Sequence, residues 1–98
     1  MTQYFVDFDL LDSFSGEFIR LIPEQRRRVN ELLNDGVILS YALSSDRTKV
    51  WATVNANSEE DVDEILQQLP LSPFMEATVY QLEFYNATGN GLPAISLN

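Results

Sequence analysis

Apolar and polar side chains alternate along YFVDFDL, residues 4 to 10, with Tyr4, Val6, Phe8 and Leu10 on one side and Phe5, Asp7 and Asp9 on the other. A period of two predicts a strand with one face buried. The next stretch, SFSGEFIRLI at 13 to 22, reads as a loop and a short helical turn. Pro23 has no amide hydrogen, so it suits the first position of a new helix better than the interior of a continuing one. From there to Asp35, Ile22, Val29, Leu32 and Leu33 fall on one side of a helix, and Gly36 follows as a stop. VILSYAL at 37 to 43 and KVWATV at 49 to 54 are rich in β-branched and aromatic residues, and SSDRT between them has hairpin length. Ser58 is placed to cap a second helix, with Asp61 completing an approximate capping box and Glu59, Glu60 and Asp61 at the positive end of the helix dipole. Val62, Ile65, Leu66 and Leu69 form its apolar stripe, and Pro70 ends it by pushing Leu69 out of helical geometry. MEATVYQLEFY, 75 to 85, alternates again as a last strand.

The order βαββαβ predicts a ferredoxin-like α+β domain over residues 1 to 85: a four-stranded antiparallel sheet with both helices on one face. Residues 86 to 98 form a tail whose Leu92, Ile95 and Leu97 are expected to dock on the same or a partner subunit. Parity assigns the sheet faces. Val6, Phe8, Val50, Ala52, Val54, Ala77 and Val79 go against the helices. Phe5, Asp7 and Asp9, then Lys49, Trp51 and Thr53, then Glu76, Thr78, Tyr80, Leu82 and Phe84 are left on the bare face, and Leu39, Tyr41 and Leu43 are expected to join them. Such a face is too apolar for open water, so two sheets are expected face to face, in a homodimer or higher homo-oligomer.

Composition narrows the chemistry. With no cysteine and no histidine, thiolate catalysis, disulfides, cysteine–histidine metal sites and imidazole acid–base chemistry are all excluded, and proton transfer falls to carboxylates, tyrosines or lysine. Six basic against fifteen acidic residues give a formal charge of −9, which argues against nucleic acid and anionic membranes as partners. The N-terminal MTQYFVDFDL has no basic region and carries two aspartates, and no stretch approaches the apolar length of a membrane span, so a cytoplasmic protein is expected. Arg26, Arg27 and Arg28 fan out around a helix between Glu24 and Glu31, and read as a solvated, ion-paired face. Of the three, only Arg26 lies close to the apolar stripe; it and Arg47 in the hairpin are candidate anchors for a carboxylate.

The decapeptide LQQLPLSPFM, 66 to 75, has two prolines, no glycine and, beyond Leu66, the large apolar residues Leu69, Leu71, Phe74 and Met75, where a plain helix stop needs one proline. It reads as a buried corner: Pro70 stops the helix, Pro73 stiffens the crossing, and Leu71, Phe74 and Met75 pin it to the sheet end. The spacing of Leu66, Leu69, Pro70, Leu71, Pro73, Phe74 and Met75, after an acidic amphipathic helix, resembles the muconolactone isomerase family. The resemblance implies a dimeric α+β barrel and a cofactor-free proton shift on a small cyclic or unsaturated compound. Asp7 is the first candidate for the proton carrier, since a carboxylate in an apolar pocket has its pKa raised toward the working pH. Asp9 and Glu76 lie nearer strand ends, and Tyr41, Trp51 and Tyr80 are expected across the sheet from Asp7 to orient or stack on the ligand, with Arg26 as a further binding residue. The resemblance also implies a basic residue where this chain has Asp7, so with a net charge of −9 a strongly anionic substrate is not expected. Rival readings are a noncatalytic ligand-binding module and a purely structural dimer.

Overall fold

The computed structural model describes residues 1–87. Strand β1 (Thr2–Leu10) is followed by helix α1 (Gly16–Asn34), strands β2 (Ile38–Leu43) and β3 (Lys49–Ala56), helix α2 (Glu59–Gln67) and strand β4 (Met75–Gln81). The sheet order is β2-β3-β1-β4, antiparallel throughout, which is the ferredoxin-like arrangement expected from the pattern. Apolar positions of the two central strands stack in register, Tyr4 against Val54, Val6 against Ala52 and Phe8 against Val50. All six are buried, together with Val29 and Leu32 of α1 and Val62 and Leu66 of α2, so the core lies between the sheet and both helices. Among the described residues no helix is long and apolar enough to cross a membrane.

Local chemistry explains the ends of these elements. Ser58 caps α2 by accepting a hydrogen bond from the Asp61 amide at 3.1 Å, while Asp61 accepts from the Asn57 amide at 3.2 Å, one residue earlier than a strict capping box. Gly36, at φ 73°, terminates α1: its amide bonds to Leu33 and that of Val37 to Leu32, satisfying carbonyls that the helix end leaves over. The 66 to 75 corner is buried as expected. Leu69 and Leu71 are in the core, a short 3₁₀ turn runs over Ser72–Phe74, and Phe74 meets Phe18 of α1 edge-to-face at 5.6 Å.

Three local expectations are corrected. The first helix does not restart at Pro23: α1 is continuous from Gly16, capped by Ser15 Oγ accepting from the Phe18 amide at 3.2 Å. Pro23 sits inside α1 on its outer side, where Pro23 and Ile19 are exposed and the unpartnered Ile19 carbonyl is least costly. The last strand ends at Gln81 rather than 85, because its only neighbour, β1, begins at Thr2 and Gln81 already pairs with Tyr4. Finally, β2 contains a bulge: Ile38 pairs with Val54 but Ser40 with Thr53. The extra residue reverses the alternation beyond it. Tyr41 therefore pairs with Ala52 and Leu43 with Val50, on the helix side and not on the bare face. The tail from residue 88 onward, with Leu92, Ile95 and Leu97, lies outside the described residues.

Candidate active site

The sheet divides the sequence-predicted site residues between its two faces. On the bare face, Asp7 lies between Trp51 of β3 and Thr78 of β4, Phe5 lies between Thr53 and Tyr80, and Asp9 between Lys49 and Glu76. Trp51 is half-buried and Tyr80 exposed. Lys49 Nζ bridges the two aspartates, 2.8 Å from Asp7 Oδ1 and 2.9 Å from Asp9 Oδ1. Only the Asp9 contact has hydrogen-bond alignment; the Asp7 contact is an ion pair, and Asp7 Oδ1 is buried with no hydrogen-bond partner among the described residues. The two carboxylates hold the Lys49 ammonium above its usual pKa, so it stays charged and cannot serve as a neutral-pH base.

Tyr41 and Arg26 are on the other side. Between α1 and the end of the sheet near the β2–β3 turn is a mostly apolar cavity of about 120 Å³, lined by Phe18, Ile22, Val50, Leu71 and Met75 with Ser13, Gln25, Arg26, Tyr41 and Arg47 as its polar groups. Among the described residues no carboxylate lines it. A wider groove of about 360 Å³ separates the C-terminal end of α1 from α2, but it is open and lined by Asp35, Asp61 and Glu64, with Arg28 as its only cationic side chain. The smaller cavity is less open and more apolar, with a few polar groups converging on it, and is the candidate ligand site.

Gln25, Tyr41 and the backbone of Arg47 are each held by an identifiable device. Gln25, 4% exposed, occupies a polar position within the apolar stripe of α1. Its Oε1 accepts from the Leu71 amide of the corner at 3.0 Å, and its Nε2 donates to the Tyr41 hydroxyl at 3.0 Å. Burial raises the Tyr41 pKa, and the Gln25 hydrogen bond offsets part of that rise, so Tyr41 is a protonated phenol at neutral pH. Arg47 sits in the β2–β3 turn at φ 64°, a conformation uncommon for a side chain other than glycine. Asp46 locks that turn by accepting from Ser44 Oγ, Thr48 Oγ1 and the Thr48 amide.

The arginines differ in their partners. Arg27 pairs with Glu24 and Glu31, and Arg28 with Glu31 and with Gln68 of α2, as the interleaved acidic residues predict. Those contacts hold the Glu24 and Glu31 carboxyls below their usual pKa. Arg26 and Arg47 make no ion pair among the described residues, and both line the cavity. Gln25 was not singled out by the sequence reading. Its signal was present, however: one amide side chain within an otherwise apolar helical stripe marks a buried hydrogen-bonding group.

A family profile described as muconolactone delta-isomerase matches residues 11–88. The chain belongs to the muconolactone delta-isomerase family. A crystal structure of muconolactone isomerase aligns with a TM-score of 0.69 at 18% identity, over 88% of this chain and 93% of that one, which shows a common fold. Comparison with curated protein sequences finds no match. For this member of the muconolactone delta-isomerase family, the profile match starts after Asp7 and Asp9 and takes in Gln25, Arg26, Tyr41, Arg47 and the whole 66 to 75 corner.

Proposed function

We propose that the protein is a cofactor-free isomerase that moves a proton within a small unsaturated lactone or related acid, and that the ligand occupies the cavity between α1 and the β2–β3 end of the sheet. One observation carries this reading: two arginines without an ion pair among the described residues line a mostly apolar cavity whose described lining holds no carboxylate, in a chain with fifteen acidic and six basic residues. Local field outweighs net charge at such short range, so the anion excluded on the strength of the −9 total becomes the preferred ligand. Arg26 and Arg47 would hold its carboxylate, and the Tyr41 phenol would hydrogen-bond the carbonyl oxygen. Loss of a γ C–H proton puts the electron pair into a dienolate whose negative oxygen Tyr41 stabilises. Return of a proton at another carbon completes the shift without any redox change. The chain has no histidine and the described lining no carboxylate, so the group that takes and returns the proton lies outside that described lining. The protein would act as a homodimer through its bare sheet faces.

A second reading is favoured by the place of Asp7 on the bare face, between Trp51 and Thr78. There Asp7 is the proton carrier in a chamber formed between two facing sheets, with Asp9, Trp51 and Tyr80 around the ligand. Incubation with muconolactone in D₂O, followed by proton NMR, separates these possibilities. The cavity reading predicts deuterium incorporation that is lost in Tyr41→Phe and in the Arg26→Ala, Arg47→Ala double variant and kept in Asp7→Asn. The chamber reading predicts the reverse pattern. Saturable binding without deuterium uptake would leave a ligand-binding module and sink both.

A further inference from the structure

We infer that Gln25 sets the polarity of the Tyr41 hydroxyl, making it a dedicated donor into the cavity, so that the site selects ligands carrying a carbonyl-type acceptor in addition to a carboxylate. This deepens the cavity reading above and rests on it for the identity of the ligand. The orientation of the Gln25 amide follows from its neighbours. The Leu71 backbone N–H can only donate, so the atom 3.0 Å from it is the amide oxygen. The amide nitrogen is then the atom 3.0 Å from the Tyr41 hydroxyl, and it can only donate. Tyr41 Oη is thereby an acceptor toward the protein, and its own proton has no acceptor among the described residues. With the phenol protonated and lining the cavity, that proton is available to a ligand.

The consequence is selectivity by an unpaired donor. A ligand that presents an oxygen to Tyr41 satisfies it, whereas one of the same shape without that oxygen buries the donor unpaired and binds more weakly. Gln25 lines the cavity but acts in this scheme through the Tyr41 hydroxyl and not on the reacting atoms; it is a positioning residue. Its 4% exposure and its second bond to the Leu71 amide fix the amide so that it cannot flip without leaving the Leu71 N–H facing another donor.

The test compares two acids by calorimetric titration at pH 8: muconolactone, and 2-cyclopentene-1-acetate, which has a five-membered ring and a carboxylate but no carbonyl on the ring. The wild-type protein is expected to prefer muconolactone by roughly tenfold or more. Tyr41→Phe should abolish the preference and still bind both acids through the arginines. Gln25→Glu keeps the shape but puts an acceptor where the amide donor was, drawing the Tyr41 proton away from the cavity, so it too should abolish the preference. Retention of the preference in either variant overturns the inference. A ligand-independent measurement keeps it falsifiable if Gln25→Glu fails to fold: the Gln25 side-chain amide protons, followed by ¹⁵N NMR, should shift and lose exchange protection in Tyr41→Phe, and an unchanged signal also overturns it. If neither acid binds the wild type while that NMR change is seen, the proposed function and the ligand selectivity fall and the fixed polarity of Tyr41 stands.

Discussion

Gln25 carries more of this molecule than its amide suggests. One side chain ties α1 to β2 through Tyr41 and to the 66 to 75 corner through Leu71. Replacing it with leucine preserves bulk but leaves the buried Leu71 N–H without an acceptor, at a cost of about 1–3 kcal/mol. Gln25→Leu is expected to lower the melting temperature by roughly 5–15 °C, measured by circular dichroism; an unchanged melting temperature would mean that water or another acceptor replaces the amide at no cost. At this scale the sequence was partly legible. Asp7, Asp9, Trp51 and Tyr80 fall on the bare face as the alternation of β1, β3 and β4 requires. Tyr41 does not: strict alternation from Leu39 puts it there, whereas past the bulge the exposed Ser40, the polar residue within VILSYAL, stands opposite Thr53 and Tyr41 turns to the helix side. That single inserted residue moved the proposed electrophile from one side of the sheet to the other.

Among the elements, those whose ends are fixed by side-chain chemistry were read correctly, and those fixed by a distant partner were not. Ser58 and Gly36 act on adjacent backbone, so their positions in the sequence locate the start of α2 and the end of α1. The end of β4 depends on where β1 begins, at the other end of the described chain, and no local signal records that. Pro23 illustrates the opposite error, a local rule applied where the Ser15 cap and the burial of Phe18 and Gln25 carry the helix through. The β2–β3 turn has an element-scale pH dependence. Asp46 accepts three hydrogen bonds as a carboxylate, which holds its pKa below the ordinary 3.8. Because the folded pKa is depressed, the stabilisation is fully present above 3.8 and is lost as the pH falls through the lower folded value. Carbon-detected NMR is expected to give an Asp46 midpoint under 3.8, with the Thr48 amide shifting in the same step; a midpoint at or above that value means the turn is not locked by the carboxylate. Asp46→Ala should free the Arg47 backbone from its left-handed conformation and weaken acid binding at the cavity.

The whole molecule has an asymmetry that neither residues nor elements explain alone. Both helices cover one face of the sheet, while the other presents Phe5, Trp51 and Tyr80 beside the Asp7–Lys49–Asp9 cluster, with Tyr80 53% exposed. Aromatic residues left in water at this density favour association, and a stable pairing typically buries about 800 Å² on each partner. The charges are compatible with it, since Lys49 lies between the Asp7 and Asp9 carboxylates and compensates one of the two. Sedimentation at micromolar concentration is expected to give twice the chain mass. Trp51→Glu, which adds a third carboxylate beside Asp7, should yield the single chain, with its helical circular dichroism intact because Trp51 lies outside the helix-covered core. A wild-type protein that sediments as one chain would leave the aromatic face unexplained and remove the chamber in which Asp7 could act, while the cavity of Tyr41, Arg26 and Arg47, contained within one protomer, would be untouched.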